Sequence, residues 1–241
     1  MTESSAAAAA PRWKPLDRIQ RRVLGVLIEK AKTTPAGYPM SVNAIVTGCN
    51  QKNNRDPVTN LDDFSVERAL SDLRDMGAVS EVDWVGRVSK FKHEAYAWLG
   101  VNKPELAVLA ELFLRGAQTI GDLRGRAARM EPIEDLAALR PIVQGLVDRG
   151  LMLELTPPGR GQVVSHNLYL PDEMDDLRAR AGATGAAFTP RTSEPASGPA
   201  ASTPSGQASR LDELASEVAR LRDELTAVRD EVHELQAKLG G

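Results

Sequence analysis

Residues 65–94 read SVERALSDLRDMGAVSEVDWVGRVSKFKHE, and the pattern changes at Gly77. Before the glycine, Val66, Ala69, Leu70 and Leu73 recur at helical spacing behind Ser65, the expected cap, and Gly77 supplies a stop. After it, Ala78–Trp84 and Val88–Glu94 are strand-like and flank the turn Val85-Gly86-Arg87. Working back towards the N-terminus, apolar residues at 16, 19, 23, 24, 27, 28 and 31 predict a helix over Leu16–Ala31. Ser41–Cys49 is a shorter helix, with Ser41 as its N-cap. Three helices followed by a β-hairpin is the order of a winged helix.

The same order recurs downstream. A shift of 73 residues places Leu73 on Leu146, Asp75 on Asp148, Gly77 on Gly150 and Glu81 on Glu154. It also places Gly86-Arg87 on Gly159-Arg160, His93 on His166 and Tyr96 on Tyr169. A shift of 85 places Val23-Leu24 on Val108-Leu109 and Thr34 on Thr119. The first copy therefore carries about a dozen extra residues between its first and third helices. The second copy reads as helices 103–115, 119–129 and 138–149, then strands 151–156 and 162–170. Pro141 aligns with Arg68 and is expected in the first turn of its helix, where its missing N–H has no intrahelical role.

The predicted fold is mainly α with small β-hairpins (α+β). Two tandem winged-helix domains, 16–100 and 101–181, follow an N-terminal tail over 1–15. Residues 182–207, rich in Gly, Ala, Ser, Thr and Pro, read as a flexible linker. The last segment, 208–241, carries Leu211, Leu214, Val218, Leu221, Leu225, Val228, Val232, Leu235 and Leu239 at alternating intervals of 3 and 4. That is a coiled-coil seam, and it predicts a parallel homodimer.

Charge constrains the partners. Residues 1–100 hold 14 Lys/Arg against 12 Asp/Glu, residues 101–181 hold 10 against 12, and residues 182–241 hold 6 against 9. No segment has the basic excess of a protein that grips phosphates along a whole face. The single cysteine, Cys49, excludes an internal disulfide and fits a reducing cytoplasm. Ala6–Ala10 lacks the preceding cation of a secretion signal, and no stretch approaches the ~18 apolar residues of a membrane helix.

Two motifs point to a family. The first copy contains Thr33-Thr34-Pro35-Ala36-Gly37-Tyr38-Pro39-Met40-Ser41-Val42-Asn43, then Cys49-Asn50-Gln51-Lys52-Asn53-Asn54-Arg55-Asp56-Pro57-Val58. The second contains Leu114-Arg115-Gly116-Ala117-Gln118-Thr119 and Arg126-Ala127-Ala128-Arg129-Met130. These stretches, within residues 16–170, closely resemble the uncharacterised bacterial family called YceH. The resemblance implies a tandem winged-helix fold and carries no activity and no catalytic residues. The linker and coiled coil are expected to lie outside the shared region.

No constellation for catalysis, metal or an organic cofactor is present in the sequence, so the protein is expected to be neither an enzyme nor a cofactor carrier. Cys49 has Lys52 as its nearest cation in sequence and reads as a half-buried residue at a helix end. His93 and His166 occupy equivalent hairpin positions and read as structural, and His233 falls beside the seam residue Val232. Arg87 and Arg160 at the hairpin turns, with Lys90 and Lys92 on one strand face, are candidate contacts to DNA backbone or minor groove. Arg126 and Arg129, three apart on a helix, are candidates for a phosphate clamp. The loop Asn50-Gln51-Lys52-Asn53-Asn54-Arg55 admits two readings: recognition of a phosphate, base or partner through its polar side chains, or self-satisfaction of its own turns. The third helices are mixed in charge, offering Glu67, Arg68, Ser71, Asp72, Arg74 and Asp75 in one copy and Arg140, Gln144 and Asp148 in the other. Two functions fit: a dimeric regulator that binds double-stranded DNA, or a scaffold whose winged helices bind another protein.

Overall fold

The computed structural model of the protein describes residues 13–82 and 89–183. Its first half runs α1 (Arg18–Thr33), α2 (Val42–Cys49), α3 (Asp63–Asp75), β1 (Val79–Val82), β2 (Lys90–His93) and a short α4 (Ala95–Leu99). The second half runs α5 (Lys103–Arg115), β3 (Gln118–Thr119), α6 (Ile120–Ala127), α7 (Leu136–Asp148), β4 (Met152–Glu154), β5 (Val163–His166) and α8 (Pro171–Ala183). This is an α+β chain with small antiparallel sheets, β1-β2 and β3-β5-β4. Among the described residues no helix is long and apolar enough to cross a membrane. The tail up to residue 12, the linker from residue 184, the coiled coil, His233 and the turn containing Arg87 lie outside the described residues; of the expected tail, Trp13 packs against the core, and α8 runs two residues into the expected linker.

The two halves match element by element. Asp17 and Asn102, 85 residues apart, are N-caps that both close a capping box, with Gln20 and Glu105 reaching back to the cap N–H. Helices α3 and α7 share the 73-residue spacing at both ends and are capped by Asp62 and Asp135. Gly77 and Gly150 follow with φ of 75° and 69°, a left-handed turn that glycine adopts without steric cost. The hairpins then pair in one register: Val79 with His93 and Met152 with His166, Glu81 with Phe91 and Glu154 with Val164. An isolated bridge between Met40 and Phe91 corresponds to β3, where Gln118 pairs with Val164.

The structure corrects several boundaries. The third helix begins before Ser65: Asp62 is its N-cap and accepts the Ser65 N–H at 2.8 Å. The match of Thr34 with Thr119 fails. Thr119 instead corresponds to Ser41, since each caps the helix that follows it. The extra residues of the first half are thus divided, some before α2 and the rest in the loop after it. Helix α6 stops at Ala127, so Arg129 sits in the turn beyond it. Helix α7 starts at Leu136, which puts Pro141 in its interior and leaves the Ala137 carbonyl without its helical N–H donor. Helices α4 and α8 were not expected from periodicity.

One continuous core runs from Leu16 to Leu168 and draws on both halves. Its centre is the packing of α1 on α5. Gly25 allows their close approach: a Cβ there would lie 3.1 Å from the Leu114 Cγ and 3.2 Å from the Phe113 Cβ. The ends are clasped too. The Leu16 N–H donates to the Leu168 carbonyl, and Arg21 pairs with Glu173 at 2.7 Å while covering the Tyr169 ring. The two halves are therefore joined through a shared helical interface, unlike beads on a flexible tether.

Candidate functional site

The cations proposed to meet phosphate are mostly held by acids of the protein itself. Arg126 donates to the Gln118 side chain at 2.6 Å and lies 4.0 Å from Asp122. Arg129 reaches inwards to Glu111 at 3.4 Å and Glu29 at 3.6 Å. The two arginines do not form the helical i, i+3 clamp, because the helix ends between them. Lys92 pairs with Glu94 at 3.0 Å. Lys90 shares that strand face, opposite the buried Phe91. Arg160 is exposed in the turn between β4 and β5, where Gly159 and Gly161 both have positive φ. Arg87 and the nine seam residues from Leu211 to Leu239 fall outside the described residues.

The loop after α2 is turned inwards at four of its six positions, where partners within the protein meet its polar side chains. Asn50 closes it, donating to the Leu61 carbonyl and accepting the Leu61 N–H, each at 2.8 Å. Gln51 accepts from Arg55 at 3.1 Å and Lys30 at 3.4 Å. Asn54, with φ of 56°, donates to Glu29 and Glu111. Arg55 is fully buried and pairs with Glu29 at 2.6 Å while donating to the Gly48 carbonyl. Only Lys52 and Asn53 stay exposed. Burial alone would raise the Glu29 carboxyl, but the hydrogen bonds and charge of Arg55 hold it below the ordinary value. Glu111 goes the other way: burial pushes its carboxyl up despite Asn54 and Arg129, and its Oε1 has no hydrogen-bond partner. This cluster joins the loop to α1 and to the second half.

One of these acids had a readable signal. Glu111 is the one charge inside the apolar run Leu106–Leu114, and a lone carboxylate there demands a partner. Cys49 is fully buried, deeper than expected, and Arg22 and Arg55 face it. Burial nevertheless pushes its thiol up to about 12, so it is protonated at neutral pH. Among the described residues no group of three or more His, Cys, Asp or Glu side chains converges as a metal site would.

The open feature of the first half is a groove of about 720 Å³ between α2, α3 and the hairpin. Leu70 and Phe91 lie at its base, both buried. Asp63 and Glu67, one turn apart on α3, and Glu81 on β1 supply its acids. Its cation, Arg74, pairs with Glu81 at 2.7 Å. Phe64, next to Asp63, is 73% exposed. The groove's lining thus carries three carboxylates against one guanidinium.

Comparison with known proteins places the chain among relatives without assigned activity. The family described as "Protein of unknown function, DUF480" matches residues 16–160. A UPF0502 protein of Rhodopirellula baltica is 50% identical over 171 residues, covering 71% of this chain and 72% of that protein. One from Citrifermentans bemidjiense is 42% identical over 175 residues, covering 71% and 81%. One from Geotalea uraniireducens is 40% identical over 212 residues, covering 87% and 88%. That last alignment is longer than residues 16–170, so similarity to this relative runs beyond the stretch the motifs delimit.

Proposed function

We propose that this chain, which belongs to the DUF480 family of proteins of unknown function, is a non-enzymatic scaffold whose two halves are tandem winged-helix modules that bind another protein. The observation that carries this reading over a DNA-binding regulator is the disposition of charge on the third-helix face. Asp63 and Glu67 project there, and Arg74 is already paired with Glu81. A duplex laid on that face would bring its phosphates against carboxylates, and unpaired like charges at a contact cost affinity and on-rate. Arg126, Arg129 and Lys92 are held by internal partners, so using them for phosphate would break existing pairs. The heptads of 209–239 add self-association through a parallel coiled coil to this reading.

The test is a titration of the full chain into a fluorescein-labelled duplex of roughly 30 base pairs at about 50 mM salt, where phosphate contacts are strongest. The scaffold reading expects flat anisotropy up to tens of micromolar protein. Saturable binding that weakens steeply with added salt, and that Arg160→Ala reduces, would replace it with the DNA-binding regulator.

A further inference from the structure

We propose that the groove between α2, α3 and the β1–β2 hairpin docks an extended segment of a partner protein carrying lysines or arginines at alternate positions beside an apolar residue. This rests on the scaffold reading and names the surface and the partner's chemistry.

The groove has the parts such a segment requires. Leu70 and Phe91 give an apolar base, and Phe64, which follows the lining residue Asp63 in α3, is exposed and of the aromatic type enriched at protein interfaces. Asp63 and Glu67 are four apart on α3, so their side chains emerge about 6 Å apart on one face. Alternate residues of an extended chain are separated by about 6.6 Å. Two cations in a Lys-X-Lys spacing therefore match the two carboxylates. Glu81 stands on the opposite wall, already neutralised by Arg74. The free negative charge is concentrated on α3.

The duplication supplies an internal comparison that isolates these acids. At the 73-residue spacing Asp63 corresponds to Leu136 and Glu67 to Arg140, whereas Glu81 corresponds to Glu154. Helix α7 forms over the same span as α3, and the hairpins keep one register. The fold thus forms without carboxylates at these two positions. Neither Asp63 nor Glu67 has an ion-pair partner among the described residues. Two unpaired carboxylates one turn apart repel each other, and a cationic ligand removes that repulsion.

The experiment uses the full chain and a fluorescein-labelled peptide with a Lys-Leu-Lys-Val-Lys centre, read by anisotropy at physiological salt. Micromolar binding is expected, weakened about tenfold or more in the Asp63→Asn/Glu67→Gln double variant. The Asp172→Asn/Asp176→Asn variant removes the same charge from exposed positions on α8 and should bind as the parent does. Circular dichroism checks that each variant is folded. Equal loss in both variants would mean general attraction to an acidic protein, and no binding at millimolar peptide would mean no docking site. Either result overturns the groove assignment while leaving the scaffold reading intact. That reading fails separately, on duplex binding.

Discussion

His93 and His166 show what the repeat does to a single residue type. Each ends the second strand of its hairpin and accepts a backbone N–H at Nδ1, from Ala95 at 3.4 Å and Leu168 at 3.2 Å. An Nδ1 acceptor places the proton on Nε2 and holds the ring neutral. Burial pushes His93 down to about 4, against a partial opposing pull from Glu94, with Lys32 and Lys92 adding to the fall. His166, buried and stacked on Tyr169 at 3.9 Å, goes well below the ordinary value, first through burial and then through Arg21. The unfolded imidazoles take up protons below about 6.5 while the folded ones do not. Stability is thus expected to fall between about pH 6.5 and pH 4. Glu111 has the opposite sign, since its raised carboxyl contributes stability that is present at low pH and lost as pH rises. Urea midpoints at pH 7 and pH 5 check this, with His166→Asn as the variant that isolates the histidine term. The parent should lose more stability than the variant between the two pH values. Equal losses would show that His166 carries its proton in the folded state.

Among the elements, α2 and α6 form a matched pair with different neighbours. Both are eight residues long and capped by a hydroxyl, Ser41 or Thr119. In α2 a Cβ on Gly48 would lie 2.6 Å from the Val26 Cγ1, and Val26 is a stiff β-branched side chain in the core. The Gly48 carbonyl also holds the buried Arg55. In α6 a Cβ on Gly125 meets nothing within 4 Å. Gly48→Ala is expected to cost about 1–3 kcal/mol by overpacking. Gly125→Ala is expected to add about 0.5–1 kcal/mol through helix propensity. Chemical denaturation reads both, and a common sign would refute the close approach of α2 to α1.

At the scale of the whole molecule, the heptad reading of 209–239 predicts assembly. In a parallel pair Glu217 faces Arg222 and Glu224 faces Arg229 of the second chain, which favours that orientation at well under ~1 kcal/mol per exposed pair. The seam would be about 46 Å long at 1.5 Å per residue, enough for a dimer of modest affinity. Light scattering of the full chain at tens of micromolar should return a dimer mass. Leu221→Lys, which places a charge on the seam of each chain, should return a monomer mass. Monomers from both would assign the segment to another partner. Two docking grooves on one dimer would engage a doubled ligand with raised effective concentration.

The order of the main helices, the Ser41 cap and the duplication were legible in residues 16–170 because they depend on nearby residues, whereas the Ser65 cap and the ends of α6 and α7 were not. A 3.6-residue apolar period, an Asp or Ser before it and a glycine after it act over one or two turns. That is why α5 spans Lys103–Arg115 as the periodicity predicts, and why the 73-residue spacing survives as hairpin register. Charge partners were not legible. Arg55 looks like a loop cation until Glu29, 26 residues away, neutralises it in the core. Arg129 looks like a phosphate ligand until α5 brings Glu111 beneath it. The groove acids were visible as residues, but their unpaired state was not. Which charges meet depends on how α1 crosses α5 and how the loop folds back, and Coulomb interactions act through that space without regard to sequence separation.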